Sequence, residues 1–329
     1  MRIVIVGIGA MGCLLGAYLE RLADVSLLGH WPEQIASIQR NGLWLEHPDG
    51  TRTRHRLAVV DDPAAVGGAD VAVVAVKSRQ TAVAARALAG VLGPGGLALT
   101  LQNGLNNRAA LRATLGPERV ALGVTSEGAT ALGPGVVRHA GRGLTYIGRE
   151  PRLGLDQRDL LPTLATLFNA AGFETHLVDD TDSLVWGKLA VNAAINPLTA
   201  LLRVPNGFLL EHEALSALMD RAASEVAAVA AAQGITLPFP NAADRAREVA
   251  RVTAANRSSM LQDTLRGAPT EVDAICGAVV RAGRDLSVPT PVNERLCDLV
   301  HQTEDGKLPA LMSGDVAGLL AWLEAAPER

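Results

Sequence analysis

The 329-residue sequence predicts a mixed α/β domain followed by an all-helical domain, and two patterns carry this prediction. In the first half, short apolar runs bounded by Gly, Asp, Lys or Asn alternate with stretches of helical spacing, which is typical of parallel strands buried on both faces. After residue 180, strand signals end, and long Ala/Leu/Val-rich stretches are separated by prolines and glycines. We therefore predict an α/β domain at residues 1–178 and a helical domain at residues 179–329.

Each element is predicted from the period and the borders of its apolar residues. In the first domain, strands are predicted at residues 2–6, 25–28, 71–76, 97–101, 120–124, 135–139, 144–147 and 174–178, with helices at 10–22, 33–40 and 156–171. Residues 43–60 predict a hairpin, because Asp49-Gly50 supplies a turn signal. In the second domain, helices are predicted at residues 183–202, 212–233, 241–255 and 271–286.

Composition and charge narrow the class of protein. Apolar residues make up 48% of the chain and charged residues 19%, the profile of a globular protein. The net charge of −4 gives no electrostatic reason to expect nucleic acid or an anionic membrane as a partner. Three cysteines without a CxxC pair imply neither a disulfide framework nor a metal site. We expect a soluble, cytoplasmic protein, and whether its Ala-rich helices form a homodimer is left open.

The first predicted strand is followed at once by a glycine motif of the form GxGxxG. The motif consists of Gly7, Ile8, Gly9, Ala10, Met11 and Gly12. In such a motif the first glycine permits a tight turn, the second lets the backbone approach a pyrophosphate, and the third allows close strand–helix packing. The N-terminus of the following helix adds amides and positive potential. The motif therefore predicts a Rossmann-like dinucleotide site; the alternative is a turn that needs glycines for its own geometry.

The end of the second strand bears on which nicotinamide dinucleotide is bound. An Asp or Glu about 20 residues after the motif would hold the ribose hydroxyls of NAD, whereas an Arg would accept the 2′-phosphate of NADP. This strand ends without either residue, and Glu33 falls late enough to open a helix instead. The missing acid favours NADP(H) and leaves NAD(H) open. His30 is either a phosphate contact or a surface residue.

Polar residues also follow later strands and form a stripe on one predicted helix. Lys77 and Asn103 each come after a buried strand, at the sheet edge where ligands bind, although an exposed charge and an Asn-Gly turn would also explain them. Lys188, Asn192 and Asn196 are spaced four residues apart in an otherwise apolar stretch, so they share one helix face. Such a stripe is too narrow for an ordinary solvent face.

A second concentration of polar residues lies between residues 256 and 273. It includes Asn256, Ser258, Ser259 and Glu271. A helix cap would explain one of the two serines, and the start of a helix would explain the carboxylate. Whether these residues meet Lys188 cannot be read from their spacing.

Six blocks of this chain, taken together and in order, resemble the ketopantoate reductase (2-dehydropantoate 2-reductase) family. The blocks are GIGAMG, VAVKSRQT, QNG, WGKLAVNAAINPLTALLRVPNG, SSMLQD and TEVDAICG, and they cover almost the whole chain. The resemblance implies an N-terminal Rossmann domain, a C-terminal helical domain and an active site in the cleft between them. It also implies NADPH-dependent reduction of 2-dehydropantoate to (R)-pantoate, a step toward pantothenate and coenzyme A.

The resemblance assigns roles to individual residues. Lys188 matches the catalytic lysine, which would act as the general acid toward the keto oxygen, and Glu271 would orient the lysine or accept a hydrogen bond from the product hydroxyl. The residues that match substrate-binding positions are Asn103, Asn192, Asn196, Asn206, Asn256 and Ser259. Cofactor binding is implied for residues 7–12, Lys77, Asn103 and His30, although many members carry an arginine at the position of His30.

Two other functions remain open at this point. One is a sister reductase that acts on another 2-keto acid, because the motifs specify the carboxylate and the chemistry better than the rest of the substrate. The other is a non-enzymatic sensor that binds NADPH and controls a partner. The presence of both Lys188 and Glu271 argues against the sensor.

Overall fold

The computed structural model describes residues 1–324 and forms two compact units. One unit comprises Met1–Gln102 and Asn106–Thr181; the other comprises Asn103–Leu105 and the chain from Asp182 onward. The first unit is α/β, and the described part of the second contains helices and no strands, so the predicted fold class is confirmed. The domain limit predicted at residue 178 lies just ahead of this division, and the sequence does not predict that residues 103–105 group with the helical unit.

The elements have the following bounds. The strands are β1 (Arg2–Val6), β2 (Asp24–Leu28), β3 (Leu43–Glu46), β4 (Arg52–His55), β5 (Ala58–Val60), β6 (Ala69–Val74), β7 (Leu92–Thr100), β8 (Val120–Thr125), β9 (Gly128–Gly133), β10 (Val136–Gly141), β11 (Thr145–Gly148) and β12 (Thr175–Val178). The helices are α1 (Ala10–Leu19), α2 (Pro32–Asn41), α3 (Thr81–Ala89), α4 (Asn107–Leu115), α5 (Leu155–Ala170), α6 (Thr181–Leu202), α7 (Glu213–Ala232), α8 (Ala242–Val252), α9 (Ser259–Leu265), α10 (Cys276–Asp285), α11 (Pro291–Glu304) and α12 (Val316–Glu324). Short 3-10 turns lie at Pro63–Val66, Ser78–Gln80, Pro117–Arg119, Asn206–Leu210 and Val272–Ala274.

The large sheet of the first unit has the strand order β12-β11-β8-β7-β6-β1-β2-β5. Its neighbouring strands are parallel, apart from the antiparallel pair β8 and β11. Ile3 and Ile5 of β1 belong to one apolar core, and Val4 and Val6 belong to another, so this strand is buried on both faces. The strand order reverses beside β1, where ligands of open parallel sheets bind outside the carboxyl ends of the strands.

The strands differ from the sequence-based expectation in two places. The hairpin predicted at residues 43–60 is only β3 and β4, because β5 pairs in parallel with β2 in the large sheet, where Val59 is buried. β9 is not predicted, since its residues include two glycines and only one β-branched side chain, Thr130. It pairs with β10 and completes a smaller sheet of order β4-β3-β10-β9.

The helices of the second unit also depart from expectation. The sequence favours a bend or an end of α6 at Pro197, and the helix does not end at that residue. Ala193 and Leu198 on either side of it are completely buried, so packing outweighs the loss of one backbone hydrogen bond. The helix predicted from residue 271 begins at Cys276, after a 3-10 turn. Among the described residues, none of the helices combines the length and apolar character needed to cross a membrane.

A continuous chain of side-chain hydrogen bonds joins α1 to the smaller sheet. In order, its members are Glu127, His139, Tyr18, His47, Thr53, His55 and Glu20. The contacts range from 2.7 to 3.2 Å between donor and acceptor atoms. Tyr18 joins the two halves of this hydrogen-bond chain, because its hydroxyl contacts both His139 Nδ1 and His47 Nδ1.

Tyr18→Phe is expected to lower the free energy of unfolding by about 1–3 kcal/mol, because two imidazole nitrogens lose their partner in a partly buried site. Denaturant unfolding at neutral pH measures this change. Tyr146→Phe is the matched control, since no hydrogen bond of its hydroxyl is found among the described residues; its effect should stay below about 0.5 kcal/mol. Equal effects of the two substitutions would contradict a structural role for the hydrogen-bond chain.

Candidate active site

The glycine motif forms the turn between β1 and α1, and two of its glycines are required by the chain's own packing. Gly7 has a φ of +114°, and a Cβ there would lie 2.7 Å from the backbone of Ala75. A Cβ on Gly12 would lie 1.8 Å from the carbonyl oxygen of Gly7. Gly9 differs, because an added Cβ would meet no atom within 4 Å. Gly9 is also the N-cap of α1, so the space beside it suits a phosphate group at a helix N-terminus.

The other residues of the motif contribute packing and backbone. The side chain of Ile8 is buried and fills the space where Gly29 lacks a side chain. The carbonyl of Ile8 accepts a hydrogen bond from Gln34 Nε2 at 3.2 Å. Ala10 and Met11 pack against the adjoining apolar core. The residues between the glycines therefore hold the turn in shape, and their contact with a cofactor stays a prediction.

His30 lies two residues after the end of β2, and its side chain is exposed. Trp31 follows as the N-cap of α2 and packs partly against the core. Glu33 lies exposed in the first turn of α2, as expected for an acidic residue at a helix start. No carboxylate therefore stands at the end of β2 itself.

Gln102 has no role assigned from the sequence, yet its side chain connects two of the loops at the sheet edge. Its Nε2 donates to the carbonyl of Val76 and to Thr81 Oγ1, both at 2.8 Å. Half-buried Lys77 is the residue after Val76 and is the N-cap of the 3-10 turn Ser78–Gln80. Gln102 thus fixes the loop that carries Lys77 to the end of β7. The only sequence signal was its place directly before Asn103.

Residues 103–105 lie against the 3-10 turn of the helical unit. Gly104 has a φ of +82°, and a Cβ there would lie 2.3 Å from the carbonyl oxygen of Ala274. The same carbonyl accepts a hydrogen bond from the Leu105 N–H at 3.0 Å. Asn103 is therefore held beside the segment that carries Glu271, a pairing that the sequence does not reveal.

Lys188 lies in α6, directly after a glycine whose Cβ would meet Pro238 at 2.8 Å. The lysine side chain is partly exposed but surrounded by enough protein that desolvation lowers its pKa to about 8. The carboxylate of Glu271 interacts electrostatically with Lys188 and acts on its pKa in the opposite direction. The structure thus brings together the two residues that were predicted to be catalytic.

The asparagine stripe on α6 becomes more buried along the helix. Asn192 is half-buried, and Asn196 is only 5% exposed. Thr199, one turn further, is completely buried and donates to Ser258 Oγ at 2.8 Å. The sequence did not indicate Thr199, because a threonine in an apolar helix has no distinguishing spacing. It connects α6 to the start of α9.

The two serines at the start of α9 have separate positions. Ser258 is the N-cap and accepts a hydrogen bond from the Leu261 N–H at 3.0 Å, which settles which serine caps the helix. Ser259 is the first helical residue and is half-buried. Its side chain is therefore not needed for capping.

Asn206 and Asn256 meet through the backbone. The Asn206 N–H donates to the carbonyl of Asn256 at 3.0 Å, and Asn206 Nδ2 donates to Thr253 Oγ1 at 2.9 Å. Asn206 Oδ1 is enclosed and accepts no hydrogen bond from the described residues. Asn256 is exposed. Asn206 therefore ties two segments together, and the contact of either residue with a substrate stays a prediction.

Comparison with known proteins matches both halves of the chain to models of the same family. Residues 3–152 match the family model described as ketopantoate reductase PanE/ApbA, and residues 180–304 match the one described as ketopantoate reductase PanE/ApbA C terminal. The chain is 43% identical over 302 residues to the 2-dehydropantoate 2-reductase of Halobacterium salinarum, covering 92% of this chain and 98% of that relative. The protein of the same name from Archaeoglobus fulgidus is 33% identical, covering 93% of this chain and 98% of its own.

Two solved structures are similar over 93% of this chain and 99% of their own length. The PanE/ApbA family ketopantoate reductase from Ralstonia eutropha JMP134 has 35% identity and a TM-score of 0.84. A ternary structure of D-mandelate dehydrogenase with NADH and anilino(oxo)acetate has 26% identity and a TM-score of 0.87. Two matching family models and a relative at 43% identity lead to one conclusion: this chain belongs to the ketopantoate reductase family.

Proposed function

We propose that this chain is an oxidoreductase that reduces 2-dehydropantoate to (R)-pantoate with NADPH, in the biosynthesis of pantothenate and coenzyme A. The observation that carries the proposal is the pairing of Lys188, whose pKa is lowered to about 8, with Glu271. Both residues lie in a chain 43% identical to a 2-dehydropantoate 2-reductase. A lysine with a pKa near neutrality is the group that proton transfer to a keto oxygen requires.

The glycine turn fits the diphosphate of a dinucleotide. The room beside Gly9 and the N-terminus of α1 support its binding there, while Lys77 follows β6 and His30 follows β2, the two strands that flank β1 in the same sheet. A bound nicotinamide dinucleotide supplies the hydride for the reduction. NADPH is preferred in this proposal because no carboxylate stands at the end of β2 to hold the ribose hydroxyls of NAD.

Lys188 supplies the proton. Its ammonium form predominates below about pH 8, and the carboxylate of Glu271 favours that charged form. In the reaction, Nζ donates a proton to the keto oxygen as negative charge develops on it, and the oxygen becomes the product hydroxyl. Because burial lowers its pKa, Lys188 is a stronger acid than a solvated lysine.

The remaining polar residues would bind and orient the substrate. Ser259 and Asn256 are proposed to donate to its carboxylate, and Asn103 would lie close to both cofactor and substrate. Asn192 continues the stripe from Lys188 and is half-buried. Asn196 and Asn206 complete the proposed set, and their burial suits side chains that hold their neighbours in position as well.

NADPH oxidation by the purified protein, measured with 2-dehydropantoate and with a panel of other 2-keto acids, tests the function. A kcat/KM for 2-dehydropantoate well above that of every other acid supports the proposal. The similarity to D-mandelate dehydrogenase favours a sister reductase as the second candidate, so benzoylformate belongs in the panel. A higher kcat/KM for benzoylformate would replace the proposed substrate. Tight NADPH binding without turnover of any acid would point to a sensor.

His30→Arg is expected to lower the Kd for NADPH about tenfold or more and to leave the Kd for NADH unchanged, because a guanidinium pairs with the 2′-phosphate that only NADPH carries. Fluorescence titration of both cofactors measures the two constants. His176→Arg adds the same charge at another exposed histidine of the first unit and is the matched control. A parallel gain for NADH would exclude the 2′-phosphate as the group that residue 30 faces.

A further inference from the structure

Three potential metal ligands cluster in the helical unit, outside the residues assigned to catalysis. Cys297 and His301 are four residues apart on α11, so they project from the same face, one turn from each other. Asp273 lies in the 3-10 turn Val272–Ala274. One ligand atom from each residue lies within 4.8 Å of the other two, and Asp273 Oδ1 is 3.2 Å from His301 Nε2.

We propose that Asp273, Cys297 and His301 bind a divalent transition-metal ion, with Zn²⁺ as the best match. In tetrahedral zinc sites the ligand atoms are separated by roughly 3.3–3.8 Å, so only a small closing movement separates the observed cluster from a coordinating one. A thiolate with an imidazole favours zinc over Mg²⁺ or Ca²⁺, which prefer oxygen ligands. Three protein ligands leave the fourth position to water. Binding transfers the thiol proton of Cys297 to solvent.

Two of the three ligand side chains are exposed enough for an ion to reach the site from solvent. Asp273 and His301 have side chains 72% and 39% exposed, whereas Cys297 is only 7% exposed. An ion would therefore enter from solvent between the carboxylate and the imidazole and meet the sulfur at the base. Arg281, which donates to the carbonyl of Asp273 at 2.8 Å, opposes the ion with its charge, and the carboxylate of Asp298 near the sulfur offsets that effect.

Metal binding would restrain the segment that contains Asp273. Glu304 of α11 already accepts a hydrogen bond from the Thr270 N–H at 2.7 Å. A metal ion would attach the same segment to α11 a second time, at Asp273. Glu271 lies between these two attachments, so the ion would restrain the position of the carboxylate that interacts with Lys188.

Titration of the metal-free, full-length protein with Co²⁺ tests the site independently of reductase activity. We expect one equivalent to produce a thiolate-to-cobalt charge-transfer band and Zn²⁺ to abolish it. Cys297→Ser should remove the band, and Cys13→Ser, which changes a buried cysteine of the other unit, should keep it. No band in the unchanged protein, or a band that survives Cys297→Ser, would overturn the proposal.

A second variant keeps the test decisive if Cys297→Ser folds poorly. His301→Gln changes a partly exposed residue, so the fold should be retained. Competition with a chromophoric chelator should show a Zn²⁺ affinity at least about tenfold weaker than that of the unchanged protein. Unfolding followed with and without Zn²⁺ should show a larger rise in the midpoint temperature for the unchanged protein than for the variant. Equal Zn²⁺ affinity of the two proteins would mean an adventitious ion only.

Discussion

Lys188→Ala is expected to lower kcat for the reduction of 2-dehydropantoate by about 10²–10⁴-fold, the usual contribution of a general acid. The Kd for NADPH should change by less than about twofold, since the lysine acts in the transition state rather than in cofactor binding. Lys188→Arg should be nearly as inactive, because a guanidinium keeps the charge but cannot release a proton near neutral pH. Lys307→Ala, at an exposed lysine paired with Asp305, is the matched control and should keep full activity.

The pH dependence separates a proton donor from a lysine that only binds substrate. Burial lowers the pKa of Lys188 to about 8, so the ammonium form is present below that pH and is lost above it. We expect kcat for the reduction to be flat near neutrality and to fall about tenfold per pH unit well above the pKa. A kcat that stayed constant up to about pH 10 would rule out Lys188 as the rate-limiting acid.

Gly9→Ala is expected to weaken NADPH binding, whereas Gly12→Ala is expected to lower the stability of the fold. At Gly12 a methyl group would lie 1.8 Å from a backbone oxygen, so the turn must shift, and the free energy of unfolding should fall by about 3 kcal/mol. At Gly9 the chain has room, and the loss of stability should stay below about 1 kcal/mol. The Kd for NADPH should nevertheless rise about 10- to 100-fold in Gly9→Ala, because the methyl group occupies the space proposed for the diphosphate.

Denaturant unfolding and cofactor titration of both variants, beside the unchanged protein, measure these effects. Gly133→Ala is a suitable control, because it adds a methyl group to the same unit where nothing lies within 4 Å and φ is not positive. If Gly9→Ala bound NADPH as tightly as the control, the diphosphate could not be placed beside Gly9.

The architecture was largely predictable because its strongest signals are local. Continuous apolar runs marked β1, β6 and β7, and the loss of such runs marked the helical unit. The errors arose where distant contacts decide the structure. β5 pairs with β2 rather than with its neighbour in sequence, and α6 does not end at Pro197, where residues on both sides of the proline are buried.

The sequence predicts which residues form the candidate site, but not their burial or their contacts with one another. The spacing of Lys188, Asn192 and Asn196 placed them on one helix face, but their depth of burial differs in a way that periodicity does not express. The sequence assigns no role to Gln102 or Thr199, since each acts through a hydrogen bond to a residue distant in sequence. The interaction of Lys188 with Glu271 depends on tertiary structure, and its effect on acidity could not be read from the chain.

The grouping of Asn103–Leu105 with the helical unit has a consequence for folding. The carbonyl that receives the Leu105 N–H belongs to Ala274, so this contact has a very large sequence separation and closes late. During synthesis these three residues emerge long before their partner exists. We expect pulsed hydrogen–deuterium exchange to show the Leu105 amide becoming protected only when the helical unit forms, after the amides of β1 and β6. A fragment starting at Asp182 would lack residues 103–105. The helical unit is therefore complete only when the chain of the α/β unit is present.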